Sequence, residues 1–434
     1  MGCPKERLNM KFNKAYNDRL NETLYSGTHE SGLNVFVLPK KGFSKKYAIY
    51  SVKYGSTDIS YKLSGKSTTD PKGIAHFLEH KLFEMSGGGN AFDLFSKTGA
   101  SANAFTSHNM TAYLFSCSDH FNENLDILLS YVNDPYFTDE NVEKEQGIIA
   151  QEIKMYDDDP DWKLFNNGLA ALYTSNSVKD DIAGSLDSIA QINKEVLYNS
   201  YNSFYHPENM VLFIAGEADL DEVSKIVDKN VKKREVSFSV ERMEYDEKDS
   251  VNQNRITKKM DVSMPNFILA WKDNDTGYDG RPLLKKNIEV SLILKMLFSE
   301  SAELYNQLYN KGLINDNFSY DEIADKSYFA AICGGETKSV DLAVEEILRY
   351  LEKIKQTGFK NEEFEMTKKA SFGRQITAFN SLEAVAGGFS ANFFKSIGAF
   401  DFIDIYDEIT LESINNRLKK VFNENYAVSE ILPN

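Results

Sequence analysis

The sequence predicts an α+β fold in which one order of strands and helices is used twice, and three features of the chain carry that expectation. Apolar runs of strand length recur in both halves, at 34–38, 47–54, 100–117 and 209–215, then again at 267–271. A helix ending in Leu-Phe stands early in each half, at Leu82-Phe83 and at Leu297-Phe298. Between the halves lies a charged, irregular stretch. The expected domains are therefore residues 1–232, a linker at 233–259, and a homologous second domain at 260–434. A chain of 434 residues is too long for one hydrophobic core, so two domains are expected on length alone.

The elements follow in order. Segments 34–38 and 47–54 are rich in Val, Ile, Tyr and Phe and read as adjacent strands. A helix around His76–His80 comes next. Gly87-Gly88-Gly89 then reads as a turn and not as a phosphate cradle, because no Gly-Lys-Ser/Thr ending follows it. Small residues alternating with Asn103, Phe105 and Ser107 suit a strand that another backbone approaches closely, and a second strand covers 111–117. Val142, Ile148, Ile149 and Ile153 give the segment around 142–153 an apolar helical side. The acidic cluster 157–161 reads as a turn leading into a helix whose first turn takes Pro160. A strand at 209–215 and a helix at 220–231 complete the first half.

One motif stands out chemically. His76 and His80 are four residues apart, and a helix advances about 100° per residue, so both imidazoles leave one face. Glu79 lies beside them, giving the order H-x-x-E-H found in zinc peptidases. Taken alone, these five residues also fit an ordinary helix with two satisfied histidines. A catalytic zinc needs a third protein ligand on another element, with the fourth position left for water. Glu145 and Glu152, seven residues apart on the next long helical segment, present two carboxylates on one face. Glu145 by itself also fits a solvated charge among Glu140, Glu143 and Lys144. A di-iron carboxylate site fails, since Leu82 stands where a Glu-x-x-His repeat needs histidine.

With these residues in place, the chain resembles the pitrilysin/insulysin peptidases, a family that includes the mitochondrial processing peptidase. The likeness spans nearly the whole chain and is most specific from Gly73 to Asp161. It implies one zinc ion per chain, held by His76, His80 and Glu152, with Glu79 as general base and Glu145 as a supporting carboxylate. It also implies that Asn103 and Ala104, in Asn-Ala-x-Thr, contact an extended peptide at a strand edge. The fold implied is two homologous α/β-sandwich domains forming one half of a closed chamber. The activity implied is hydrolysis of short or unfolded peptides.

In the second copy, Ser291, Leu294 and Lys295 fall where His76, Glu79 and His80 stand, and Arg374 falls at the Glu152 position. That copy is expected to bind no zinc. The short-chain branch of the family also carries an Arg-x-x-Gly-Leu-x-Tyr pattern that completes the substrate site. Here Tyr309 and Asn315 occupy its Arg and Tyr positions. The departure puts a self-sufficient homodimer in doubt and points to a homologous subunit without zinc ligands that supplies the pair, with the homodimer as the other expectation. The competing expectation is a non-proteolytic assembly subunit that retains a metal site.

Bulk properties narrow the classes. With 65 acidic residues against 49 basic, the net charge of −16 argues against nucleic-acid binding, which needs a basic surface. No apolar run reaches the length of a membrane span, and no signal region is evident at the N-terminus. Met1-Gly2-Cys3 fails the acylation pattern because Glu6 stands where Ser or Thr is needed. Three dispersed cysteines imply no disulfide framework, and a reducing cytoplasm is the expected compartment.

Overall fold

The structure, a computed structural model, describes residues 10–434. Cys3 and the Met1-Gly2-Cys3 segment lie outside the described residues. The chain opens with strands β1 (Asn13–Asn17), β2 (Glu22–Thr28), β3 (Asn34–Leu38), β4 (Lys46–Val52), β5 (Ser60–Leu63) and β6 (Lys66–Thr69). Helices α1 (Ile74–Leu82) and α2 (Ala91–Lys97), hairpin β7 (Ser101–Thr106)–β8 (Thr111–Cys117), and helices α3 (Phe121–Val132) and α4 (Asp139–Asp157) follow. Next come α5 (Pro160–Leu172), α6 (Leu186–Ile189), α7 (Lys194–Phe204), β9 (Met210–Ala215), α8 (Leu220–Asn230) and β10 (Val240–Arg242).

The later part begins with β11 (Arg255–Met260), β12 (Asn266–Lys272), α9 (Gly280–Phe298) and α10 (Glu303–Asn310). It continues through β13 (Ser319–Asp325), β14 (Tyr328–Glu336), α11 (Val340–Thr357) and α12 (Asn361–Ala378). Helices α13 (Leu382–Phe393), α14 (Asp401–Glu408) and α15 (Leu411–Val421) lead to β15 (Tyr426–Pro433). The order β12–α9–α10–β13–β14–α11–α12 repeats β4–α1–α2–β7–β8–α3–α4, except that the β5–β6 hairpin is inserted in the first copy.

Two compact units result. The first takes the residues up to Gln151, then Ile182–Met243 and Ala378–Ala391, and the second takes the rest. The division falls inside the unbroken helix α4, between Gln151 and Glu152.

These units are not the contiguous halves expected at 1–232 and 260–434. Helix α5 buries Leu169, Ala171 and Leu172 against Ala270, Ala330 and Ile332, so it belongs to the second sheet. Helix α13 returns to the first unit, where Phe389 packs on Phe36 and Phe213 at ring-centroid distances of 4.6 and 4.4 Å. Nor is 233–259 simply a linker. Strand β10 pairs antiparallel with β5, and β11 pairs parallel with β15.

The first unit holds a seven-stranded sheet in the order β1-β2-β3-β9-β4-β8-β7. Strands β3 and β4 are therefore not neighbours, as the sequence suggested, because β9 inserts between them. Every residue of β9 is buried, which explains its unbroken apolar run: a central strand covered on both faces has no polar side. Among the described residues, β7 pairs only with β8 and forms an edge of the sheet.

The second unit's five-stranded sheet runs β11-β15-β12-β14-β13. Side chains alternate along β12 with the period of two that a strand imposes. Phe267, Leu269 and Trp271 enter the core formed with α9, while Ala270 faces the core formed with α5.

Candidate metal and catalytic site

Helix α1 is packed so tightly that only one line of it stays open. Ile74, Ala75, Phe77, Leu78, Glu79, Lys81 and Leu82 are buried, whereas His76 and His80 are partly exposed. The four-residue spacing thus sets both imidazoles on the same uncovered face, with ring centroids 4.5 Å apart. The helix starts at Gly73, whose φ of +89° favours glycine, and a Cβ there would meet Ala183 O at 2.4 Å. Ser188 Oγ donates to Lys72 O at 2.8 Å beside it, so the N-terminus of α1 is tied to α6.

Helix α4 brings the carboxylates. Its buried stripe is Val142, Glu145, Ile149 and Ile153, spaced three and four apart, while Ile148 is exposed, contrary to the apolar side expected for it. Glu145 therefore lies within the packed face and is not a solvated charge. Its Oε1 lies 3.0 Å from His80 Nδ1. A carboxylate can only accept, so Nδ1 carries the proton and Nε2 is left to face an ion.

Lys81, fully buried, pairs with Glu84 at 2.8 Å and with Glu145 at 3.6 Å. Burial alone would raise the Glu145 carboxyl, but the hydrogen bond and charge of His80 and the charge of Lys81 hold it below its usual value. Burial, helped by the neighbouring His80, pushes the His76 imidazole down to about 3 against an opposing effect of Glu145. His76 is thereby neutral, the form that ligates metal.

Among the described residues, His76, His80 and Glu152 form the one group of potential metal-binding side chains, with donor atoms all within 4.8 Å of one another. Two imidazoles and one carboxylate match the protein donor set of a catalytic zinc, whose fourth position is left to water. Glu152 does not stand alone. Tyr156, one turn along α4, donates from its hydroxyl to Glu152 Oε1 at 2.9 Å. The Tyr156 ring stacks on Trp162 at 4.5 Å, and Trp162 Nε1 donates to Asp181 Oδ2 at 2.6 Å. Pro160 opens α5 as expected, with Asp159 capping the backbone N–H groups of Asp161 and Trp162.

Glu79 is buried at 9% exposure, and Thr106 Oγ1 on β7 donates to its Oε2 at 2.7 Å. Behind it stand the buried hydroxyls of Tyr113 and Tyr205, 2.8 Å apart. On the outer edge of the same strand, Asn103 is exposed and Ala104 half-buried, with Asn103 Oδ1 accepting from Ala104 N at 2.9 Å. The structure thus gathers His76, His80 and Glu152, and brings Glu145 to His80. Sequence reasoning did not find Thr106, Tyr156 or Lys81 in these roles. Thr106 was visible only as the end of Asn-Ala-x-Thr, and no local signal links it to a glutamate twenty-seven positions earlier.

Residues 64–186 match the model for insulinase, peptidase family M16, and residues 191–371 match that for the peptidase M16 inactive domain. A curated relative, the uncharacterized zinc protease YmfH of Bacillus subtilis, is 40% identical over 96% of this chain and 98% of its own length.

The chain belongs to peptidase family M16.

Another B. subtilis M16 relative, the uncharacterized zinc protease YmxG, is 26% identical over 85% of this chain and 90% of its own length. The crystal structure of an M16-like peptidase from Alicyclobacillus acidocaldarius superposes with a TM-score of 0.91 and 31% identity, covering 99% of both chains. A protease from Helicobacter pylori, at 19% identity, shares the fold with a TM-score of 0.81 over 98% of this chain and 100% of that one. The two-domain M16 fold of mixed sheets and helices is thus shared across these proteins. Among the described residues no helix is long and apolar enough to cross a membrane.

Proposed function

We propose that this M16 chain is a zinc-dependent endopeptidase acting on short or unfolded peptides, with His76, His80 and Glu152 as the zinc ligands. The convergence of those three side chains, beside a buried glutamate, is the observation that carries the reading. Zinc bound there would lower the pKa of a water and polarise the scissile carbonyl. The chain's own residues supply the rest. Glu79 takes the proton of the attacking water and hands it to the leaving amine, and Thr106 fixes the carboxylate for that transfer by holding Oε2. Glu145 orients His80 and Tyr156 orients Glu152. The open edge of β7, through Asn103 and Ala104, pairs with an extended substrate backbone.

Tyr309, which is exposed, carries no charge at the position of the pattern's Arg, and Asn315, whose Nδ2 donates to Glu336 at 2.6 Å, carries no phenol at the position of its Tyr. A homologous partner without zinc ligands, joined in a dimeric chamber, would bring the missing Arg and Tyr. That gap also favours the second reading, a subunit that assembles with others and cuts nothing. The cytoplasm is the proposed compartment, in keeping with free, buried Cys117 and Cys333. Zinc content together with cleavage of a mixed peptide library tests the proposal. A Glu79→Gln chain that keeps its zinc and still cleaves would remove Glu79 from the mechanism.

A further inference from the structure

In the second unit, helices α9 and α12 bring two cations together with no ion-paired acid for either among the described residues. Lys295 Nζ donates to Ser371 Oγ at 3.2 Å. Ser371 and Arg374 are three residues apart on α12 and so share one face, which is the face that meets Lys295. The charges feel each other: burial first, then Arg374, depresses the Lys295 ammonium. The acid whose charge acts on Lys295 is Glu322 on β13. Burial, then the charge of Asp321, pushes its carboxyl up to about 8 against the pull of Lys295, so near neutrality it mostly keeps its proton. Tyr320 and Tyr406 lie within reach of the charges of both Arg374 and Glu322. Arg374 itself is exposed, which leaves a way in from solvent.

Two facing cations, one half-buried, repel each other and cost stability unless an anion joins them. We propose that Lys295 and Arg374 form a binding site for a carboxylate, with Ser371 and Tyr320 as neighbouring donors. A guanidinium fork matches the two oxygens of a carboxylate, and the ammonium adds a point charge beside it. By sequence position, Lys295 and Arg374 stand in the second copy where His80 and Glu152 stand in the first. The second copy has exchanged donors for a cation against donors for an anion. The carboxylate is carried by a peptide, as an acidic side chain or a free C-terminus, and this assignment of the carrier rests on the peptidase reading above.

The test uses the full chain carrying Glu79→Gln, so that binding is read without turnover. A fluorescein-labelled Ala/Ser octapeptide is supplied in three forms: free C-terminus, amidated, and amidated with one central glutamate. Anisotropy titration should show at least one carboxylate form binding roughly tenfold or more tightly than the neutral amide. The arm that gains affinity tells which carboxylate the site takes. Lys295→Met and Arg374→Met should each abolish the preference, whereas Glu322→Gln should retain it. Equal affinity for all three peptides overturns the site, as does a preference that survives both cation substitutions. Zinc content and cleavage, measured separately on the unsubstituted chain, decide the peptidase reading. Either conclusion can fail while the other stands.

Discussion

Thr106 on strand β7 donates a 2.7 Å hydrogen bond to Glu79 Oε2 on helix α1, joining the proposed substrate edge to the proposed general base. A hydrogen bond to a charged carboxylate is worth roughly 1.5–3 kcal/mol, and its loss frees the carboxylate to turn away from the attacking water. Thr106→Val is expected to lower kcat by roughly ten- to a hundredfold with zinc content unchanged. Thr106→Ser should restore most of the rate. Steady-state kinetics on the three proteins checks this, and a uniform rise in KM with kcat intact would show that Thr106 serves the strand edge instead.

Glu79→Gln keeps the shape and burial of the side chain but removes the proton acceptor. Loss of general-base catalysis costs roughly 10²–10⁴-fold in rate, while His76, His80 and Glu152 are untouched. The expected outcome is stoichiometric zinc by elemental analysis together with cleavage reduced by that order.

Tyr156 holds Glu152 through one hydrogen bond and is itself braced by Trp162. Residues that orient metal ligands typically govern roughly 10–100-fold of affinity. Competition with a chelator should reveal a loss of that size in Tyr156→Phe. An unchanged affinity would mean that the helix alone positions Glu152.

Glu145 serves two masters, His80 and the fully buried Lys81. Glu145→Gln should weaken zinc binding and also lower stability by roughly 1–3 kcal/mol, because among the described residues Lys81 then keeps Glu84 alone as its acid partner. Adding Lys81→Met should recover much of the stability but none of the zinc affinity. Denaturant unfolding and metal competition on the double mutant separate the two effects.

Glu322 provides a pH signature in the second unit. Its folded pKa is raised, from an ordinary 4.5 to about 8, chiefly by burial. A group raised in this way contributes stability that is complete below its unfolded value and is lost as pH rises through the folded one. The stability of the unsubstituted chain relative to Glu322→Gln should therefore fall between about pH 4.5 and 8. Parallel unfolding curves across that window would contradict the burial of its carboxyl.

The histidine pair of the candidate metal group was legible in the sequence because its spacing is set locally by the helix, whereas Glu152 entered through the family resemblance. His76 and His80 share a face whatever α1 packs against, and Glu145 and Glu152 likewise share a face of α4. The strand that separates β3 from β4 was not legible, since nothing near 34–54 announces that β9, more than 150 residues later, will insert there. The same holds for α5. Its apolar side is plain in the sequence, but which sheet it covers depends on long-range packing, and it covers the second. Ile148 shows the opposite error: an apolar residue in the right stretch of α4 that faces outward while Glu145 faces in.

Zinc content and peptide-library cleavage, measured together on the purified chain alone and mixed with an M16 homologue that carries the Arg/Tyr pair, test the central claim most directly. A zinc peptidase with a split substrate site gives one zinc per chain and cleavage that appears, or rises sharply, when the partner is added. Bound zinc without cleavage in either sample would contradict peptide hydrolysis and leave the assembly-subunit reading standing.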